Sequence, residues 1–431
     1  MTSEDHVDLT PDEAFVWLWL PGATEPVVAG RLARDGDRLI FNYGQSYLER
    51  TGALPIYVPE LPLRRGAIAP GTGLNLAGCL RDAAPDAWGR RVILNRAFGK
   101  QGQDTDIASL DELAYLLASG SDRVGALDYQ ASPTHYVPRT HAAATLEELL
   151  SAAEKVDQGI ALSPELDQAL LHGSSLGGAR PKALIDGDAT KMIAKFSSST
   201  DTYNVVKAEF MAMRLAANAG LNVAPVHLEH VAGKDVLLIE RFDRTRTAEG
   251  WTRKAMVSAL TLFGLDEMMA RYASYQDLAE IIRHRFTAPK ATLHELYGRL
   301  VFNLLCGNTD DHARNHAAFW DGEQLSLTPA YDLCPQGRTG NVASQAMLIA
   351  GNARASTLAT CLAAAPDFQL DETSAIDLIN QLIYSVEEAW ATVCEEAALT
   401  DIDRNLLGRR VFINDYIYEG APNRVKRGRL T

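Results

Sequence analysis

The sequence predicts an α+β chain of two lobes, preceded by a β-rich N-terminal subdomain and ending in a helical C-terminal lobe. Two observations carry this reading. Short apolar runs stopped by Pro, Gly or Asp turns fill residues 15–43 and return between residues 182 and 240. Beyond residue 244 the pattern changes to long helical segments. Strands first and helices second is the arrangement of a two-lobed α+β domain.

Taken in order, residues 15–20 alternate large apolar side chains and stop at Pro21-Gly22, which reads as a strand and turn. Residues 27–32 and 39–43 read as two more strands around the turn Arg34-Asp35-Gly36-Asp37. The segment Asp86-Ala87-Trp88-Gly89-Arg90-Arg91 opens a helical run, and residues 111–119 form a short helix. Residues 139–145 are a polar connection, which sets a boundary near residue 140. The expected division is 1–140, 141–244 and 245–431. From Gly173 a glycine-rich turn leads into strands over 182–185 and 191–196, then a helix over 205–219 ended by Gly220. Residues 223–230 and 235–240 read as strands, and 275–286, 293–305 and 373–396 as helices.

With 431 residues the chain has length for two or three domains. Its 47% hydrophobic and 22% charged residues are those of a soluble globular protein. No apolar run approaches the ~20 residues that would span a bilayer, and the polar N-terminus lacks the pattern of a signal peptide, so a cytoplasmic protein is expected. Five scattered cysteines without a C-x-x-C pair favour reduced, buried thiols. A net charge of −14 repels nucleic acid. The one dense basic run, Arg424 to Arg429, reads as a solvated tail, with steering towards DNA held by a partner as the other reading.

The stretch from Gly307 to Asn315 is the most informative. It places Asp310, then Asn315 five positions on, and beyond a strand-like hairpin Asp332 in Pro329-Ala330-Tyr331-Asp332. Kinase active sites need that order, because the first Asp receives the acceptor hydroxyl's proton while Asn and the second Asp hold Mg²⁺ on ATP. Asp311 and His312 enrich a polar cluster that follows a strongly apolar helix, where carboxylates demand partners. A rival reading makes His312 and His316 an i, i+4 metal pair, and a blander one a capped polar loop. Upstream, Gly173 to Lys182 is a small-residue loop whose backbone N–H groups could cradle phosphates, or an ordinary flexible turn. Lys195 lies in an apolar strand and Glu209 in the following helix, at the spacing of a kinase lysine–glutamate pair. Each alone also fits a surface charge. The segment from Glu240 to Phe242 ends a strand where an inter-lobe connection could offer its backbone to an adenine edge. All these features occur in the order a kinase-like fold requires.

On these residues the chain resembles the HipA-like serine/threonine kinases, toxins of bacterial type II toxin–antitoxin pairs. The matching segments are Ser175 to Lys182, Glu240 to Arg244, Gly307 to Asn315 and Pro329 to Asp332, with Pro85 to Arg90 and Asp122 to Leu127 in the N-terminal part. The resemblance implies Asp310 as catalytic base and Asn315 and Asp332 as Mg²⁺ ligands. It implies ATP contacts from Ser175, Leu176, Gly177, Gly178, Ala179, Lys182, Lys195, Glu240, Phe242, His312, Asn315 and Asp332. It also implies autophosphorylation at Ser175, which would add about two negative charges and eject the phosphate loop. Partners so implied are a HipB-like helix-turn-helix antitoxin docked on the N-terminal subdomain, operator DNA reached only through that complex, and an aminoacyl-tRNA synthetase, glutamyl-tRNA synthetase foremost, as substrate. Some members carry Gln-Glu where this chain has Arg180-Pro181, which leaves Ser174 beside Ser175 as a second candidate for autophosphorylation. The expected function is thus a Mg·ATP-dependent protein kinase toxin that arrests growth. A small-molecule phosphotransferase and a non-catalytic co-repressor are the alternatives.

Overall fold

The structure is a computed structural model that describes residues 10–98, 105–106, 110–139, 144–160, 162–176, 178–187, 189–337, 340 and 342–430. The expected boundary near residue 140 falls outside them, as does Gly177. The chain forms two compact units. The first comprises Met1–Thr200, His230–Val257 and Trp320–Glu323, and the second Asp201–Glu229, Ser258–Phe319 and Gln324–Thr431.

The first unit opens with an antiparallel sheet of β1 (Glu13–Leu18), β2 (Val27–Asp35), β3 (Arg38–Tyr43) and β4 (Leu127–Gln130), in the order β3-β2-β1-β4. The first strand lies two residues earlier than the apolar pattern indicates. A bulge between Val16 and Trp17 switches the faces, so the alternation runs on through Trp19 and Leu20 past the paired strand. Asp35 pairs with Arg38 across a two-residue turn in which Gly36 supplies the positive φ of 61°.

A second antiparallel ladder in this unit joins β5 (Lys182–Asp186), β6 (Lys191–Lys195) and, after β7 (Val226–Val231), β8 (Lys234–Glu240). Ala232 and Gly233, at φ 50° and 79°, make the two-residue turn before β8. Leu149, Leu150 and Val156 of the helix Leu146–Asp157 and Leu170 of the helix Pro164–His172 pack with Ala183, Ala194, Phe196, Val236 and Leu238 into one core. These two helices lie outside the segments that the sequence pattern marks as helical, although Thr145 and Glu148 form a capping box that signals the first. A further hairpin follows from β9 (Arg244–Thr247) and β10 (Gly250–Arg253).

The second unit is helical. Its main helices are Val205–Asn218, Tyr275–Arg285, Pro289–Cys306, Glu372–Glu396 and Asp401–Arg410. Gly220 follows the first at φ 86°, the left-handed terminator the sequence indicates. Helix Pro289–Cys306 is apolar on most sides and accordingly buried from Leu296 to Cys306.

The basic C-terminal run is not a free tail. Lys426 N–H donates to Asn380 Oδ1 at 2.8 Å, Asn380 Nδ2 donates to Arg424 O at 3.1 Å, and Gly428 N–H donates to the Tyr418 hydroxyl at 2.8 Å. Val425 is buried. Backbone hydrogen bonds and one apolar anchor thus hold the run down while its charged ends stay in water. All five cysteines are buried and none is in a disulfide. Among the described residues, no helix is long and apolar enough to cross a membrane.

Candidate active site

The acidic loop of the second unit begins where helix Pro289–Cys306 stops. Gly307 takes φ 72°, and a Cβ there would lie 2.9 Å from the Val411 carbonyl oxygen, so only glycine fits without strain. The loop is then pinned from several sides. Asn308 N–H donates to Asn303 O and its Nδ2 to Asn303 Oδ1, both at 2.9 Å. Gln336 N–H donates to Gly307 O at 3.0 Å, and Ala346 N–H to Thr309 O at 3.1 Å. Asn315 N–H donates to His312 O at 2.9 Å, and Asn315 Nδ2 to Asp310 O at 3.2 Å. Asp310 and Asn315 therefore stand on one rigid turn.

Asp332 returns to the same unit after the hairpin of Ala317–Trp320 and Leu325–Leu327. It adopts φ 59°, a left-handed conformation that costs energy for a residue with a Cβ. Its neighbours hold it there, with Cys334 N–H donating to Asp332 O at 3.0 Å and the Tyr331 hydroxyl to Arg314 O at 2.6 Å. Partial burial pushes the Asp310 carboxyl above its usual range. His312 opposes that shift, while the negative charges of Asp332 and Asp311 add to it. The Asp332 carboxylate is thus near enough to disfavour charge on Asp310, an arrangement a cation would relieve.

Asp311 has a different part. It is buried, accepts from the Tyr275 hydroxyl, and pairs with His316 Nε2 at 3.0 Å. His316 is therefore turned into the protein, which sets aside the His312/His316 metal pair. Among the described residues no group of three or more His, Cys, Asp or Glu side chains could hold a metal ion. An amide oxygen from Asn315 with a carboxylate from Asp332 is nonetheless a hard-oxygen donor pair. Mg²⁺ is commonly held by one or two protein groups, with water and phosphate completing its shell.

The first unit gathers the glycine-rich loop and the lysines. Gly173–Ser175 is a 3₁₀ turn that ends helix Pro164–His172, so this part is buried structure and not a flexible loop. Leu176 is buried, and Gly178 to Arg180 lie towards solvent. The segment is clamped by Asp86 and Trp88. Gly178 N–H donates to Asp86 Oδ2 at 2.6 Å, Trp88 Nε1 to Lys182 O at 3.0 Å, and Trp88 N–H to Gly178 O at 3.3 Å. Gly89 lies so close that a Cβ would come 1.8 Å from Ser174 O. The sequence flagged Asp86 and Trp88 only through the resemblance, since their partners lie about ninety residues away.

Lys182 and Lys195 are direct cross-strand partners on β5 and β6. They share a face, and like charges so placed repel unless an anion joins them. Lys182 Nζ would lie 2.5 Å from a Cβ built on Gly178, which places the ammonium over the glycine-rich loop. Lys195 sits in the middle strand of the ladder, not at an edge. In the second unit Glu209 is buried in its helix, not solvent-facing.

At the end of β8, Glu240 is in register with Met192, and Arg241 N–H donates to Lys191 O at 2.8 Å. That donor is spent on the sheet, so it cannot serve an adenine edge. The Arg241, Asp243 and Arg244 side chains instead enter a buried ionic network. Arg244 Nη2 meets Asp122 Oδ1 at 2.7 Å, Arg241 Nη2 meets Asp243 Oδ2 at 2.9 Å, Lys191 Nζ meets Asp122 Oδ2 at 2.7 Å, and Gly125 N–H donates to Asp243 Oδ2 at 2.8 Å. The motif from Asp122 to Leu127 is thereby explained as the counterpart of Glu240 to Arg244.

Comparison with known proteins agrees with this architecture. The HipA-like C-terminal domain matches residues 174–390 and the HipA N-terminal domain residues 23–130. The protein named "Putative kinase Y4mE" of Sinorhizobium fredii is 31% identical over 180 residues, 37% of this chain and 41% of that protein. The serine/threonine-protein kinase toxin HipA of Shewanella oneidensis is 28% identical over 147 residues, 30% of this chain and 34% of that protein. The matched stretches thus span less than half of either relative. Among solved structures, a chain of the Shewanella oneidensis complex of HipA, HipB and operator DNA superposes with a TM-score of 0.64 at 19% identity, covering 92% of this chain and 94% of that one. That likeness establishes the fold. With its C-terminal domain match spanning half of the sequence, the chain belongs to the HipA-like family.

Proposed function

We propose that this protein is a Mg·ATP-dependent serine/threonine protein kinase and the toxin of a type II toxin–antitoxin module. The observation that carries the reading is the turn that pins Asp310 to Asn315, with Asp332 held at φ 59° in the same unit and its charge adding to the raised Asp310 carboxyl. Asp310 accepts the acceptor hydroxyl's proton as the oxygen attacks the γ-phosphorus and the bond to the β-phosphate oxygen breaks. Asn315 and Asp332 would hold the metal, which when bound neutralises phosphate charge. Ser175, Leu176, Gly177, Gly178, Ala179, Lys182 and Lys195 would bind the phosphates, with Glu240, Phe242 and His312 completing the nucleotide contacts. Positioning and charge neutralisation supply the catalysis.

Residues 1–140 are proposed to carry antitoxin docking, 141–244 nucleotide binding, and 245–431 the catalytic and metal-binding loops. A HipB-like antitoxin would neutralise the enzyme and bring it to operator DNA, and Ser175 would be the autophosphorylation site. The proposed substrate is an aminoacyl-tRNA synthetase, with glutamyl-tRNA synthetase the first to test.

The test is incubation with labelled ATP and Mg²⁺, alone and with glutamyl-tRNA synthetase. Label on the chain supports a protein kinase, and label on the synthetase supports the substrate. Asp310→Ala and Asp332→Ala should each lower transfer by about 10³-fold or more. Growth arrest by an Asp310→Ala variant as strong as that by the wild type would overturn the catalytic reading.

A further inference from the structure

Behind the acidic loop lies a polar cluster that the phosphoryl-transfer chemistry does not use. Tyr275, Asp311 and His316 are 0%, 2% and 3% exposed, whereas Asp310, the residue before Asp311, is exposed. Asp311 Oδ1 pairs with His316 Nε2 at 3.0 Å. Asp311 Oδ2 accepts from the Tyr275 hydroxyl, whose oxygen lies 3.4 Å from His316 Nε2. His316 Nδ1 is buried with no hydrogen-bond partner among the described residues. A hydrogen there would be stranded, so the ring carries it on Nε2, facing the carboxylate. Burial and the Asp311 charge push the Tyr275 phenol well above its usual range, which keeps it a donor. Asp311 thus receives two donors, one from each neighbour.

The cluster is anchored outside the loop. Tyr275 opens helix Tyr275–Arg285, its N–H donates to Leu348 O at 2.9 Å, and Ser274 caps the helix by accepting from Asp277 N–H at 3.0 Å. His316 leads into strand Ala317–Trp320, and its carbonyl accepts from Ala259 N–H at 2.8 Å. Chain order gives the cluster its consequence. Asp311 follows Asp310 and His316 follows Asn315, so the buried pair closes the same turn that Asn315 Nδ2 closes on Asp310 O at 3.2 Å. A buried carboxylate and imidazole cost desolvation, and apolar residues of equal volume often hold a fold at least as well. What a satisfied buried network adds is a single geometry.

We propose that Asp311, His316 and Tyr275 are positioning residues, a buried staple that fixes Asp310 and Asn315 in the geometry phosphoryl transfer needs. The proposal rests on the kinase reading given above and deepens it. Being buried, the three act through Asp310 and Asn315, where a displacement of about 1 Å costs about 10²-fold in rate.

The experiment compares the full-length wild type with Tyr275→Phe, His316→Ala and His316→Gln, the last because its amide N–H can reach where Nε2 lies. One readout is the rate constant of self-labelling against ATP concentration in Mg²⁺. The other is deuterium exchange of the amides over 307–316. His316→Ala should lower the maximum rate constant by about 10²-fold and Tyr275→Phe by about tenfold, with the half-saturating ATP concentration within about twofold of the wild type. Exchange over 307–316 should quicken by about tenfold in both and stay unchanged in helix Glu372–Glu396. His316→Gln should recover most of both properties, and Tyr275→Phe, which removes a single hydroxyl, serves where His316→Ala does not fold. A variant that melts lower yet labels itself at the wild-type rate overturns the staple. So does a loss confined to the half-saturating ATP concentration, or an equal loss in His316→Gln and His316→Ala. A wild type that takes no label sinks the kinase reading, and exchange then decides the staple by itself: unchanged protection over 307–316 overturns it, and faster exchange upholds it.

Discussion

Ser174 and Ser175 are neighbours and both buried, yet their hydroxyls differ. Ser174 Oγ donates to Leu171 O at 2.5 Å and accepts from Gly120 N–H at 3.2 Å, so it is part of the packing. Ser175 Oγ is buried with no hydrogen-bond partner among the described residues. Removing the Ser174 hydroxyl leaves a buried N–H unsatisfied, which costs about 1–3 kcal/mol, whereas a hydroxyl already unpaired gives up little. Ser174→Ala should therefore lower the unfolding free energy by about that amount and keep the label acquired from ATP. Ser175→Ala should be close to neutral in stability and lose the label. Denaturant unfolding and mass spectrometry of both variants separate the two serines. A label retained in Ser175→Ala would move the modification elsewhere.

At the scale of elements, the acidic loop depends on how one helix ends. Gly307 reverses the chain in a conformation costly for other residues and passes 2.9 Å, measured from a built Cβ, from the Val411 carbonyl. Gly307→Ala should cost about 2 kcal/mol or more and lower phosphotransfer, because Asp310 and Asn315 ride on the turn that follows. A calorimetric melt with a parallel labelling assay checks both, and an unchanged melt would show that the backbone relaxes freely there. The helix is legible in the sequence because its signal is local, an apolar run, whereas a terminating glycine is read there only for the helix before Gly220. Asp310 and Asn315 stand out in the sequence for the same reason, five positions apart with a chemical meaning, and the structure sets them on one turn. What escaped was non-local. The Asp86 clamp on Gly178 and the pairing of Asp122 with Arg244 join residues about one hundred positions apart. No periodicity encodes such contacts, so the Glu240 to Phe242 backbone reads as an adenine contact while the Arg241 N–H is bonded to Lys191 O and its side chain is a buried cation. The C-terminal run likewise looked free because the hydrogen bonds that hold it come from Asn380 and Tyr418.

At the scale of the whole molecule, the same ionic network should set how the first unit responds to acid. Asp122 and Asp243 lie inside the first unit, where burial by itself would raise both carboxyls. The Arg241 and Arg244 guanidiniums reverse this, bringing Asp243 down to about 2 and holding Asp122 well below its usual range, with Arg253 and Lys191 adding to the effect on Asp122. In an unfolded chain both would titrate near 3.9. A carboxylate whose native pKa is depressed stabilises the fold above the unfolded value, and that contribution is lost as pH falls through the native one. Stability of the first unit should thus drop between about pH 4 and pH 2, by about 2–3 kcal/mol from Asp243 alone. Asp243→Asn should flatten that decline but cost about 3–5 kcal/mol at pH 7, since it leaves two buried guanidiniums short of a counter-charge. Tryptophan emission is the suitable readout, because Trp17, Trp19, Trp88, Trp251 and Trp320 fall in the first unit and Trp390 alone in the second. Urea titrations followed by emission at pH 7, 4 and 2.5 should show the midpoint falling most between the last two. A midpoint that tracks pH equally in the wild type and in Asp243→Asn would mean that other carboxylates, not this network, govern acid unfolding.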